Sequence, residues 1–179
     1  MMTKVRQLKR RQAPAHRPDG LRAYLERAAR YATGDGVRKD ERKAAEIYAI
    51  AARKGSGLAA FNLATMYARG EGVKASWPKA EAFYRRAEKL GSGDASIALG
   101  ELALRNKEGN GATEIEALRH FAIATANHDL RGLLCMASTI QSNPGLTKQA
   151  VVEALLYACA QKGSREARSM LRRVGRTEQ

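Results

Sequence analysis

The residue types that most often do chemistry, histidine and cysteine, are few in this chain and widely spaced. The three histidines are His16, His120 and His128, and no two stand at the four-residue spacing of metal ligands on a helix. The two cysteines, Cys135 and Cys159, form no zinc-site spacing with them. We therefore expect no metal, no cofactor and no catalytic residues, and hence no enzyme.

Two glycine-rich tetrapeptides, GDGV (34–37) and GEGV (70–73), resemble the start of a phosphate-binding loop. A P-loop needs a Lys-Ser/Thr pair after its glycines, and a dinucleotide site needs a preceding strand. Neither feature is present, and the tetrapeptides stand exactly one period of a longer repeat apart. We interpret them as structural turns, and their acids Asp35 and Glu71, like Glu108, as solvated turn residues.

A repeat of 36 residues organises the chain. When residues 59–91 are placed over the segment 36 residues earlier, the alanines, tyrosines and glycines of two helical stripes coincide. The coinciding pairs are Ala23 and Ala59, Ala28 and Ala64, Tyr31 and Tyr67, Ala44 and Ala80, Tyr48 and Tyr84, Ala51 and Ala87, and Gly55 and Gly91. A fixed period of this length indicates stacked helical hairpins. The tyrosines could stack nucleic-acid bases, but their fixed place beside alanines favours an interhelical core.

The apolar spacing predicts two helices in each of four repeats, followed by a final amphipathic helix. The expected helices cover about 19–33, from about 40, 57–69, 76–90, 94–106, 113–127, 130–142, 147–162 and 164–174. The pattern weakens toward the C-terminus, where Ala154, Tyr157 and Ala160 continue it, and His128 occupies the position of a terminal glycine. Arg27 stands where later repeats have leucine, as suits the polar outer face of a terminal repeat.

These helices divide the chain into a basic N-terminal arm (1–18), a repeat domain (19–174) and a short tail (175–179), both ends being disordered. The expected repeats cover about 19–56, 57–92, 93–128 and 129–163, with a capping helix at 164–174. The arm has no acid, and its cations include Lys4, Arg6, Lys9, Arg10 and Arg11. It is either a tether to an acidic partner or a solvated tail that aids solubility.

The formal net charge is +14 and is concentrated in the first half and at the two ends. No apolar run is long enough for a membrane span, and the N-terminus has no apolar signal region. We therefore expect a cytoplasmic protein, with a mitochondrial-type presequence as the alternative. In that compartment Cys135 and Cys159, predicted on the two helices of one repeat, are expected to be reduced and buried, although a bridge between them is geometrically possible.

The recurring pattern Ala-x3-Leu-(Gly/Ala)-x2-Tyr-x2-Gly-x-Gly-Val, then Ala-x3-Tyr-x2-Ala-x3-Gly, resembles the Sel1-like repeat family, which is related to tetratricopeptide repeats. The match is specific over 23–55 and 59–91, and it weakens over 95–128 and 130–163. The resemblance implies an all-α, right-handed α-solenoid that acts as an adaptor in protein–protein contacts. Bacterial members are often found in signalling, envelope-associated and secretion-linked assemblies.

The resemblance also implies that the first helix of each repeat lines an inner, concave wall that binds a peptide or helix of another protein. Transferred by position, that wall comprises Arg22, Leu25, Glu26, Phe61, Asn62, Thr65, Arg69, Ile97, Glu101 and Arg105. The alternative function is binding to nucleic acid or another anionic surface through the basic arm and the Arg-rich C-terminal helix.

Overall fold

The computed structural model describes residues 20–105, 112–143, 145–146 and 148–174, and over these residues the fold is all-α. The structure confirms an α-solenoid built from helical hairpins. The helices are α1 (Leu21–Thr33), α2 (Glu41–Arg53), α3 (Gly57–Arg69), α4 (Trp77–Lys89), α5 (Gly93–Arg105), α6 (Ala112–Ala126), α7 (Arg131–Ser142), α8 (Lys148–Gln161) and α9 (Arg165–Val174). The basic arm lies outside the described residues, as does the tail.

The first three repeats are helical hairpins in which α1 packs on α2, α3 on α4 and α5 on α6. The second helix of the first two hairpins also packs on the first helix of the next, so that neighbouring repeats stack. The alanines that recur in phase lie at these interfaces, and Ala28, Ala44, Ala64 and Ala80 are each 0% exposed. Small side chains at these positions let the helix backbones approach closely.

The 36-residue period reappears in individual contacts. The amide of Asp40 donates to the carbonyl of Tyr31 at 2.8 Å, and the amide of Ser76 donates to that of Tyr67 at 2.9 Å. Asp40 also caps α2 by accepting from the amide of Lys43 at 3.0 Å, whereas Ser76 makes no side-chain capping bond at the start of α4. The turn geometry therefore repeats even where the capping side chain does not.

The tyrosines belong to the interior, as expected. Tyr48 and Tyr84 are buried, and Tyr67 stacks on Phe83 with the ring centroids 5.6 Å apart. Tyr31 and Tyr67 are half-buried, and each has a lysine ammonium 5.3 Å from its ring centroid. Such contacts shield the outer edge of the core while the apolar ring faces it.

The fourth repeat does not close as the first three do. Helices α7 and α8 are consecutive, yet they make few contacts with each other, and both pack against α6. Helix α6 accommodates them because its buried apolar residues, among them Leu118, Phe121 and Ile123, lie on more than one side of the helix. The stripe of α8 that packs inward is Ala150, Ala154 and Ala158. The predicted stripe of Ala154, Tyr157 and Ala160 was therefore rotated relative to the observed one.

Helix α9 covers the end of the solenoid by packing on α8. Ala167 is buried, whereas Arg165, Arg168 and Arg172 are exposed. The guanidinium Nε of Arg168 donates to the carbonyl oxygen of Ala160 in the last turn of α8 at 3.3 Å. An amphipathic helix with its charged face outward is the form expected of a terminal cap.

Candidate partner-binding face

Helix α3 presents four of the predicted partner-binding residues, Phe61, Asn62, Thr65 and Arg69, at spacings that share one side of a helix. The side-chain oxygen of Ser56 fixes the start of the helix by accepting from the amide of Ala59 at 3.1 Å. Gly70, with φ of 75°, ends it in the left-handed conformation.

Two of these side chains lie beside tyrosines of the second helices. The Thr65 hydroxyl lies 3.2 Å from that of Tyr84, within hydrogen-bond distance. Burial raises the pKa of Tyr48, and the nearby Asn62 side chain offsets part of that rise. The hydrogen bond to Tyr84 therefore fixes Thr65 in position, and Asn62 is a polar neighbour of Tyr48.

Asn62 and Thr65 line an open cleft of about 290 Å³ between α1, the start of α2 and α3, which we call the α3 cleft. Its other lining residues are Ala32, Lys39, Glu41, Tyr48, Met66 and Glu71. Of its charged residues, Lys39 pairs with Glu41 at 2.7 Å, and Glu71 pairs at 3.6 Å with Arg69, which lies just outside the cleft lining. The hydrogen bond to Glu41 raises the pKa of Lys39. The α3 cleft therefore combines hydroxyl and amide groups with exposed charges of both signs.

The other predicted face residues lie outside the α3 cleft. Arg22 and Glu26 pair with each other at 2.7 Å on the exposed side of α1. Glu101 and Arg105 are exposed on α5. The predicted residues are thus spread over α1, α3 and α5, and the structure places only Asn62 and Thr65 of the set in the α3 cleft.

The predicted apolar floor contributes to the core. Phe61 contacts the ring of Tyr84 with the centroids 5.7 Å apart. Leu25 packs against the same core cluster, and Ile97 packs against a second cluster formed with α6, α7 and α8. All three are half-buried, so each presents only part of its surface to a partner.

Sequence reasoning missed the α2 side of the α3 cleft. Lys39 and Glu41 flank the start of α2, and Tyr48 was interpreted only as a core residue. One feature of the sequence could have predicted these cleft residues. The segment after the GDGV turn must pass close to the next helix if neighbouring repeats stack. Glu71, inside the second turn, was interpreted as a solvated acid, although its carboxylate lines the cleft.

A separate cluster of polar side chains connects α4 to α6. His120 Nδ1 lies 2.7 Å from a Glu88 carboxylate oxygen, and both side chains are nearly buried. The other ring nitrogen is 3.8 Å from Glu116, which also lies 3.6 Å from Arg85. This cluster of polar side chains crosses the boundary between the second and third repeats and connects them.

Both cysteines are free thiols. Cys135 is half-buried on α7, and burial raises the pKa of its thiol. Cys159 is exposed on α8, so the expectation that both thiols are buried was wrong for this residue. Within the described ranges, no group of three or more histidine, cysteine or acidic side chains could hold a metal ion. No helix of that same part of the chain is long and apolar enough to cross a membrane.

The family model described as Sel1 repeat matches residues 22–56 and 57–92. The fold is similar to the crystal structure of a Sel1 repeat protein from Oxalobacter formigenes, with a TM-score of 0.64 and 25% identity. That match covers 85% of this chain and 62% of the other. The fold also resembles that of c5321, a protective antigen of uropathogenic Escherichia coli displaying an SLR fold. There the TM-score is 0.62 and the identity 19%, over 86% of this chain and 33% of that one. No curated protein matches the sequence.

Proposed function

We propose that this chain, whose residues 22–92 match the Sel1 repeat model, is a non-enzymatic adaptor whose concave face binds a peptide or helix of another protein. The observation that carries the proposal is the α3 cleft, which both Asn62 and Thr65 line and where the hydrogen bond to Tyr84 fixes Thr65. Fixed polar groups cost less conformational entropy on binding than mobile ones.

The chemistry of the α3 cleft favours an extended segment with polar groups and at least one carboxylate. Hydroxyl and amide groups along a helix provide hydrogen bonds to a peptide backbone. Arg69 is exposed, and its contact with Glu71 is long at 3.6 Å, so a partner carboxylate is able to replace that contact with a charge-assisted hydrogen bond. Arg105 extends the same row of residues by one repeat.

The test begins with affinity purification of the intact protein and mass spectrometry, followed by titration of the recovered partner. We expect Arg69→Glu combined with Arg105→Glu to weaken partner binding at least about tenfold, because both changes reverse the charge offered to a carboxylate. The matched control is Arg42→Glu on α2, which also removes an exposed arginine that has a glutamate partner, here Glu46. Equal affinity of the double variant and the wild type, with both folded, would refute the proposed face.

A second candidate function rests on α9 and the basic arm. Arg165, Arg168 and Arg172 are exposed at spacings that place them on one side of α9. We propose nucleic acid or another anionic surface as the ligand of these residues together with Lys4, Arg6, Lys9, Arg10 and Arg11 of the arm. Binding to random duplex DNA should then fall steeply with salt, and deletion of residues 1–18 should reduce the slope. Lack of binding at low salt would eliminate this candidate.

A further inference from the structure

Helix α7 exposes leucines on a face that no described part of the chain covers. Leu130 and Leu134, at 72% and 73% exposure, are the most exposed large apolar residues in the part of the chain that the structure describes, and Leu133 is 49% exposed. Ala137 and Gln141, on the same side of the helix, are exposed as well.

The open fourth repeat explains this exposure. Ala137 stands at the position that Ala28, Ala64 and Gly100 occupy in the first three repeats, where each is buried beneath the second helix of its own hairpin. Helix α8 would provide that cover in a regular fourth repeat, but it packs on α6. The side of α7 that a closed hairpin would bury therefore has no neighbour among the described residues.

The exposed residues form one stripe along the helix, and their side chains are larger in its first half than in its second. Leu130, Leu134, Ala137 and Gln141 follow at intervals of four, three and four residues, which is the spacing of a helix-pairing seam. The leucines stand in the first half of the stripe, and the small alanine and the flexible glutamine stand in the second. When two such stripes run in opposite directions, the leucines of each lie opposite the alanine and glutamine of the other.

We propose that a second copy of this chain covers the stripe, with α7 packing antiparallel on α7 about a two-fold axis between residues 134 and 137. The symmetry places Leu134 of one copy opposite Ala137 of the other, and Leu130 opposite Gln141. A large side chain then faces a smaller or more flexible one at each level, as an isologous interface requires.

Charge supports a second copy over a highly charged partner. The stripe contains no ionisable side chain, and the neighbouring Arg131 is bound by Asp94 and Asp129. Most of the excess of cations lies in residues 1–92, and the exposed arginines of α9 lie on a helix that packs on α8. Two copies joined through this uncharged stripe therefore bring no like charges of the stripe together.

The interface is small, so the dimer is expected to be weak. A helix of 12 residues is only about 18 Å long, and a single helix pair buries less surface than a stable interface needs. We expect monomer and dimer to exchange as the protein concentration is raised from about 1 µM to about 500 µM.

The test is sedimentation equilibrium of the full chain and three variants under reducing conditions. Leu134→Ala removes the large side chain and should weaken the dimer at least about tenfold. Ala137→Leu should weaken it similarly, because two leucines then collide across the axis. The double variant, L134A with A137L, again places one leucine opposite one alanine and should recover most of the wild-type affinity.

Leu58→Ala is the control, because Leu58 is a leucine of α3 whose side chain is also exposed, at 51%. This variant should dimerise as the wild type does. Circular dichroism should show that every variant is folded. The proposal is overturned if the wild-type protein stays monomeric over the whole range. It is also overturned if Ala137→Leu strengthens association, or if the double variant associates more weakly than both single variants. Loss of a bound foreign protein from monomeric Leu134→Ala would instead identify that protein as the occupant of the stripe.

Discussion

The ring of Phe121 on α6 lies directly against Gly100 on α5, so closely that a β-carbon at residue 100 would overlap the ring. The first two repeats have Ala28 and Ala64 at the position of Gly100, and Tyr48 and Tyr84 at the position of Phe121. The third repeat therefore brings its two helices together over a glycine, and Phe121 is buried with 1% exposure.

We expect Gly100→Ala to lower the free energy of unfolding by about 1–3 kcal/mol, because the added methyl group overpacks this contact. The direction of the change in stability is informative, since the same substitution in a solvent-exposed helix would stabilise the protein by up to about 1 kcal/mol. Urea denaturation provides the measurement. In a Phe121→Leu background the loss should shrink, and an equal loss in both backgrounds would show that Phe121 is not the cause.

Gly72 places the turn of the second repeat directly on the start of α2. Its φ is 67°, and a β-carbon there would overlap the backbone carbonyl of Glu41. Gly36 has nearly the same φ of 66°, but a β-carbon there would meet only the Arg30 guanidinium, which is able to move. The two glycines share a conformation and differ in what lies beside them.

Gly36→Ala should therefore cost about 1 kcal/mol, for the left-handed backbone alone. Gly72→Ala should cost at least about 1 kcal/mol more, because the first two repeats must also separate. Thermal and urea unfolding of both variants tests this difference. Equal losses would mean that the GEGV turn makes no essential contact with the first repeat.

The sequence predicts the first two repeats well because each recurring position has one structural requirement and the same type of residue meets it in both repeats. Alanine occurs where helices approach closely, and Gly34 and Gly70 occur where the first helix of a hairpin ends. Arg27, at the position of the buried Leu63 and Leu99, is exposed on the first helix, as expected of a terminal repeat. These positions were predictable because local conformation and burial demand the same residues.

The fourth repeat was less predictable because α8 has alanines on several sides. Its sequence is compatible with burial of Ala160 or of Ala158, and only contact with α6 selects between them. The candidate site shows a similar limit. Asn62 and Thr65 were predicted on the binding face, but the contact of Asn62 with Tyr48 and the hydrogen bond of Thr65 with Tyr84 depend on how separate helices are placed. A sequence period does not specify that placement.

The interaction between Asp129 and Arg131 predicts a dependence of stability on pH. Hydrogen bonding from Arg131 lowers the pKa of Asp129 in the folded protein, so this carboxylate stabilises the fold above the pKa of the unfolded chain. That contribution is lost as the pH falls through the folded-state pKa, which lies below the ordinary pKa of an aspartate. Between pH of about 6 and about 3, Asp129→Asn should therefore lose less stability than the wild type, by at most about 1 kcal/mol.

Urea unfolding at the two pH values measures this difference. Asp35→Asn is the control, because the Asp35 side chain is exposed and its carboxylate makes no ion pair with the described residues. The control should retain the acid sensitivity of the wild type. If Asp129→Asn loses as much stability on acidification as the control, the pair with Arg131 makes no net contribution to the fold.

His128 occupies a position where the first, second and fourth repeats have glycine, and it adopts the same left-handed backbone. Its φ is 66°, against 94°, 87° and 99° for Gly55, Gly91 and Gly163. A residue with a β-carbon is strained there by about 1 kcal/mol or more, so His128→Gly should raise the free energy of unfolding by up to about 1 kcal/mol. Gly91→Ala is the opposite experiment, because a β-carbon at residue 91 has no neighbour within 4 Å and the cost is conformational alone. If urea denaturation shows opposite changes of similar size in the free energy of unfolding, backbone strain at this position explains both variants. A loss of stability in His128→Gly would show that the histidine side chain stabilises the fold by more than its backbone strain costs.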